Sequence, residues 1–156
     1  MHFNEKAITD FYTCFGRRDY AGMIAHYAPQ IHFTDPVFDL HGPRAGGMWH
    51  MLCESGQDLR VTFANVQADE QQGRAHWEAW YTFSTTGRAV HNVIEARFQF
   101  ENGQIVRHVD SFSFWRWSRQ ALGTTGLLLG WSPILRNKVQ STANRNLDRF
   151  LQARGE

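Results

Sequence analysis

The chain has 156 residues, a formal net charge of +1, and 42% hydrophobic and 14% aromatic residues, including twelve Phe and six Trp. This length allows one domain with a real core, and so many rings call for either a thick core or an aromatic-lined cavity. The charges are spread out, which gives no footprint for nucleic acid, and the longest apolar stretch, LLLGW at 127–131, is too short to cross a membrane.

The N-terminal stretch MHFNEKAITD is polar and has no apolar signal-peptide region. Asn4 is placed to cap a first helix, with Ile8, Phe11, Tyr12 and Phe15 on one stripe and Gly16 ending it. Asp19 suits the cap of a second helix that carries Met23, Ile24 and Tyr27 and stops before Pro29. IHFTDPVF, 31–38, reads as extended and broken at Pro36. Pro43 fits the first turn of a third helix, with Ala45, Met48, Trp49 and Leu52 along one side and Gly56 closing it. Cys14 and Cys53 lie far apart in helical stretches, without metal-ligand spacing, and read as free thiols of a reducing compartment. A cytoplasmic location is the expectation.

After residue 58 the character changes. LRVTFANVQAD, RAHWEAWYTFST, AVHNVIEARFQF and QIVRHVDSFSFW are rich in Val, Phe, Trp and Thr, separated by QQGR, TTGR and ENGQ. The Asn102-Gly103 pair is a strong hairpin signal, so a four-strand antiparallel meander is expected. Long strands twist and curl, and the three helices are the available cover. In the tail, 116–156, Leu135, Val139, Ala143, Leu147 and Leu151 recur every four residues, predicting a last amphipathic helix. GLLLGWSPIL before it is expected to pack across the open end of the sheet. The expectation is thus one α+β domain over 1–156, with its core at about 3–115 and a helical extension at 116–156.

Asp35 sits in FTDPVF between Phe33, Pro36, Val37 and Phe38. A carboxylate there either forms a turn before Pro36 or is held in an apolar place for its chemistry. Alternation puts His108, Asp110, Phe112 and Phe114 on one strand face with Val106, and Asn92 on the core face of the preceding strand. Asn92, His108 and Asp110 therefore point toward the expected core. They form either a buried hydrogen-bond network or the floor of a pocket. The other histidines show no HxH or HExxH spacing, and no metal site is expected.

The order of elements, with FGRRDYAGMIAHYAPQIHFTDPVFDLHGPRAG (15–46) as its best local match, resembles the cone-shaped fold of nuclear transport factor two. Ketosteroid isomerase and the SnoaL-like polyketide cyclases share that fold. The resemblance implies a curled antiparallel sheet under three N-terminal helices, and a homodimer through the convex face, where His76, Glu78, Trp80 and Thr82 fall. It gives Asp35 the role of the isomerase's general base. The isomerase's oxyanion-binding tyrosine falls near Phe11, with Tyr12 about 100° round the helix. Its second acid falls near Ala96 by face or Glu95 by count, and neither fits. The Asp-Arg-Asp set of limonene epoxide hydrolase does not fit either, since Arg97 alternates away from Asp110. The expected chemistry is cofactor-free proton transfer on a small apolar carbonyl compound: isomerisation, cyclisation or dehydration. Asp35, His108 and Asp110 are its acid/base groups. His108 or Asn92 donates to the enolate oxygen, and Tyr12, Phe38, Trp49 and Phe112 form the apolar wall. Two non-catalytic alternatives stay open: a hydrophobic-ligand binder and a dimerisation module.

Overall fold

The computed structural model describes residues 1–155. In chain order it contains α1 (Phe3–Gly16), α2 (Tyr20–Ile24), β1 (Tyr27–Thr34), β2 (Asp39–His41), α3 (Pro43–Ser55) and β3 (Arg60–Ala68). There follow β4 (Gln72–Phe83), β5 (Arg88–Glu101), β6 (Gln104–Ser111), α4 (Phe114–Leu122), α5 (Thr124–Leu129) and α6 (Pro133–Ala153). The strands form one sheet in the order β2-β1-β6-β5-β4-β3. The sheet curls without closing, and the helices cover its concave face, which is the expected α+β cone.

The meander is built by local turns. Asn102 and Gly103 both have positive φ, 51° and 78°, as the two-residue turn between β5 and β6 requires. At the β3–β4 corner the turn lies at Asp69–Gln71, ahead of the expected QQGR position: Asp69 Oδ1 accepts from the backbone N–H groups of Gln71 and Gln72. The fourth strand stops at Ser111. Ser113 then caps α4 through the Arg116 N–H, so Phe114 starts a helix rather than extending the strand. A bulge near Gln99/Phe100 shifts the alternation, and Ile105 rather than Val106 is buried beside His108.

Two strands lie outside the expected meander. Tyr27 opens β1 instead of extending α2, which ends at Ile24, and Pro29 is accommodated within the strand. β1 pairs with β2 antiparallel and with β6 parallel. Asn4 is not the cap of α1. His2 takes that place, its Nδ1 accepting from the Asn4 N–H, while the buried Asn4 side chain donates to the Asp69 and Glu70 carbonyls. Asn4 thereby ties α1 to the β3–β4 corner.

One cluster of buried side chains runs from Ala7 in α1 to Leu151 in α6. A second joins Val90, Phe114, Trp117 and Ala121 at the rim of the cone. Val37, Tyr81 and Phe112 pack against both clusters and mark the seam between them. α6 lies along α3 and the β1–β2 turn: Arg44 pairs with Asp148 at 2.7 Å, and Gln140 Nε2 donates to the Pro36 carbonyl at 2.9 Å. GLLLGWSPIL does not seal the sheet. Leu127, Leu128, Leu129, Trp131 and Ile134 are all exposed.

Candidate functional site

The parallel pairing of β1 with β6 builds the site. It sets Phe33 beside His108 and Thr34 beside Val109, and one further step in the same register leads to Asp35 and Asp110. Alternation turns Phe33, His108, Asp35 and Asp110 to the concave side. Two acids from distant parts of the sequence thus meet near the open end of the cone.

Asp35 closes the turn that its sequence context suggested, and it does so in a largely apolar place. Its Oδ1 accepts from the N–H groups of Val37 and Phe38, each at 2.7 Å, and closes the turn through Pro36. Burial nevertheless pushes its carboxyl up to about 7. The two backbone hydrogen bonds oppose that rise, the charge of Asp110 adds to it, and Arg136 opposes it. Asp35, Phe38, Gln140 and Asn144 line a shallow cavity of about 370 Å³ between this turn and α6.

Behind Asp35 lies a buried chain of polar groups. Trp49 Nε1–H donates to the Tyr27 oxygen at 2.8 Å, and the Tyr27 hydroxyl reaches His108 Nδ1 at 2.8 Å. Having accepted from Trp49, Tyr27 donates to Nδ1, which leaves the His108 proton on Nε2, facing Asp110 Oδ1 at 2.9 Å. Trp77 Nε1–H donates to the same oxygen at 3.3 Å. Asp110 Oδ2 has no protein hydrogen bond among the described residues, yet it is not one of the sealed polar atoms. The Tyr12 hydroxyl is such an atom, enclosed and without a partner. Burial first, and then the charge of Asp110, raise the Tyr12 pKa, and its ring packs against Phe63 and Trp77.

The deep end of the cone is filled. His108 is fully buried among the rings of Phe11, Phe33, Trp49 and Phe98. Trp49 is therefore core and cannot be a ligand wall. Asn92 lies opposite Ala79, three residues beyond the end of the β5–β6 ladder at Glu95–Ser111, and makes no side-chain hydrogen bond among the described residues. It does not join His108 and Asp110. Phe112 stays at the seam near the mouth, as do Val37 and Tyr81, and Phe38 lines the cavity at the Asp35 turn. Burial raises the Tyr81 hydroxyl to about 12, against the hydrogen bond from Trp117 Nε1 at 2.8 Å, and the Asp35 charge adds to the rise.

Tyr27, Trp77, Tyr81 and Trp117 were not among the expected site residues. Alternation along RAHWEAWYTF, with Ala75, Trp77, Ala79 and Tyr81 on one face, carried the signal for two of them. Arg97 is exposed and Glu95 bonds His76 on the convex face, so neither serves the site. Trp80 on that face is half-buried between Arg60 and His91. Ala96 pairs directly with Asp110, which places an acid on the strand beside the position where the isomerase resemblance calls for one. Away from the site, His32, Asp39 and His41 bring three metal-capable side chains together on the β1–β2 hairpin. A second groove, of about 670 Å³, runs between α2, β1, α3 and α6 past Tyr20, Ile31, His50 and Leu151. No helix among the described residues is long and apolar enough to cross a membrane.

A family model described as SnoaL-like domain matches residues 8–108, and the chain belongs to that family, within the NTF2-like superfamily. No curated protein matches it by sequence. Among solved structures it is similar to an NTF2-like protein of unknown function from Burkholderia pseudomallei (21% identity, TM-score 0.66, 77% of this chain and 98% of that one). It is also similar to an LEH-like epoxide hydrolase from M. tuberculosis (15%, 0.62, 81% and 96%). A third similar structure is TerC, co-crystallised with polyporic acid (16%, 0.60, 71% and 92%). At these identities the likeness is one of fold.

Proposed function

We propose that this SnoaL-like protein binds a small apolar carbonyl compound at the mouth of its cone and moves a proton on it without a cofactor. The observation that carries the reading is Asp35, a carboxyl raised to about 7 beside a second acid on the neighbouring strand. Such a group takes and returns a proton near neutral pH. In this reading Asp35 is the acid/base, and His108 and Trp77 fix Asp110 so that its free Oδ2 faces the substrate. Val37, Phe38, Tyr81 and Phe112 supply the apolar rim. The relatives' names are in keeping with small-molecule chemistry, namely the epoxide hydrolase and the protein crystallised with polyporic acid. Isomerisation, cyclisation and dehydration all use this step.

The experiment is turnover of a panel of small carbonyl substrates by the protein and by Asp35→Asn. Asn keeps the oxygen that closes the turn but is not a base, so turnover should fall by at least about a hundredfold. Unchanged turnover sinks the assignment.

The filled interior favours a second reading, in which the same mouth holds a hydrophobic ligand without converting it. A ligand that raises the melting temperature and is recovered unchanged in mass supports that alternative. A homodimer through the convex face belongs to both readings: the ion-paired cluster of His76, Glu78 and His91 with the half-buried Trp80 is the surface a second copy would cover.

A further inference from the structure

α4 and α5 are packed so that the apolar side of α5 faces outward. Gly126 presses on α4 so closely that an added Cβ would lie 1.9 Å from the Ser118 carbonyl oxygen. The glycine side of α5 is therefore fixed inward, and Leu127, Leu128 and Leu129 are held in water, Leu128 at 62% exposure. Trp131 and Ile134 extend the patch, at 74% and 81% exposure, and Trp115 borders it. The indole N–H groups are satisfied inside the protein, Trp115 on the Leu127 carbonyl at 3.1 Å and Trp131 on the Leu128 carbonyl at 2.8 Å. The Trp131 ring is thus free to present an apolar surface. Soluble proteins rarely expose such a contiguous patch without a partner for it.

The charge of the segment that carries the patch identifies the partner. Between residues 111 and 147 there are five basic residues, Arg116, Arg119, Arg136, Lys138 and Arg145, and no acidic one. All fifteen acidic residues of the chain lie outside this segment. Arg116 and Lys138 are exposed, and Arg119 stands over the Trp115 ring. We propose that α4, α5 and the start of α6 form an attachment surface for an anionic phospholipid bilayer, with the leucines, Trp131 and Ile134 entering the acyl boundary and the basic residues meeting the headgroups. Trp at the boundary, aliphatic side chains below it and cations around it are what such an interface selects. A second copy of the chain fits less well, because two of these faces together would set Arg116, Arg119 and Lys138 of one copy against the same cations of the other.

The attachment stands apart from the chemistry at Asp35. If both readings hold, a membrane-dissolved compound has a short route to the mouth, since the inner side of α4, Phe114 and Trp117, packs at the rim beside Tyr81 and Phe112.

The test is co-sedimentation with vesicles of phosphatidylcholine alone and of phosphatidylcholine mixed with phosphatidylglycerol, at low and high salt. The protein should pellet with the mixed vesicles and be released by salt. Leu128→Glu with Ile134→Glu should weaken that binding by at least about tenfold. Arg116→Glu with Lys138→Glu should abolish the preference for the anionic vesicles while the leucines remain in place. Circular dichroism melting of each variant establishes that it is folded. The proposal is overturned if the protein pellets equally with and without vesicles, binds both kinds of vesicle alike, or keeps its binding in the Leu128/Ile134 variant. A dimer that the same variant converts to monomer, with no vesicle binding, assigns the patch to a second copy and also overturns it.

Discussion

Trp49 and Trp131 show two opposite uses of one side chain. Trp49 is 1% exposed, and its N–H starts the buried chain through Tyr27 and His108 to Asp110. Trp131 also satisfies its N–H within the protein but leaves most of its ring in water. The polar handle is treated alike in both cases, and only the cover on the ring differs. The cone interior spends its aromatic surface on packing and polar satisfaction, whereas the C-terminal extension leaves its own uncovered. Function is therefore to be sought where the cover is incomplete, at the mouth and on α5, and not among the sealed rings.

The strongest challenge to this contrast is Trp49→Ala. It empties a large core site and takes away the donor to Tyr27, and it should cost about 3–5 kcal/mol. Denaturant unfolding followed by circular dichroism reads this, and a loss below about 1 kcal/mol would deny the interior its structural role. The mouth should behave in the opposite sense. Because the folded Asp35 carboxyl titrates at about 7, above its unfolded value, the folded state binds the proton more tightly. Its stabilising effect is complete at low pH, declines as pH rises above about 4, and is gone above about 7. Asp35→Asn lacks this decline, so its stability relative to the parent should grow between pH 4 and 8 by about 2–4 kcal/mol. Melting across that range checks it, and a gap independent of pH would show Asp35 to be an ordinary exposed acid. The smallest effect belongs to the extension: Leu128→Glu with Ile134→Glu should change unfolding stability by no more than about 0.5 kcal/mol, since both side chains are already in water. A larger loss would mean that these residues are packed against something in the folded chain.

The parts legible in the sequence are those whose signals are local. The stripe on α1, Pro43 and Gly56 at the ends of α3, and Asn102-Gly103 in its hairpin each declare themselves within a few residues. His108 and Asp110 were legible because alternation survives along β6 past its bulge. Asn92 obeys the same alternation but misleads, because β6 ends before reaching it and no partner stands opposite. The start of β1, unlike the extended stretch from Ile31, was hidden for a different reason. Tyr27 falls at a helical spacing from Met23 and Ile24, and the hydrogen bonds that make it a strand come from residues some eighty positions away. Residues 127–134 were expected inside because apolar residues usually are. Their exposure follows from Gly126 and its contact with α4, which composition does not reveal.

The pairing of β1 with β6 has a consequence for the order in which the chain acquires its shape. β3 to β6 are joined by tight turns and can zip together from neighbour to neighbour, whereas β1 must wait for a strand that emerges last of all. Closing so long a loop costs chain entropy that no earlier contact offsets, which makes this the slow kind of step in folding. Asp35 and Asp110 are therefore strangers through most of the chain's collapse, and the final stitch of the sheet introduces them.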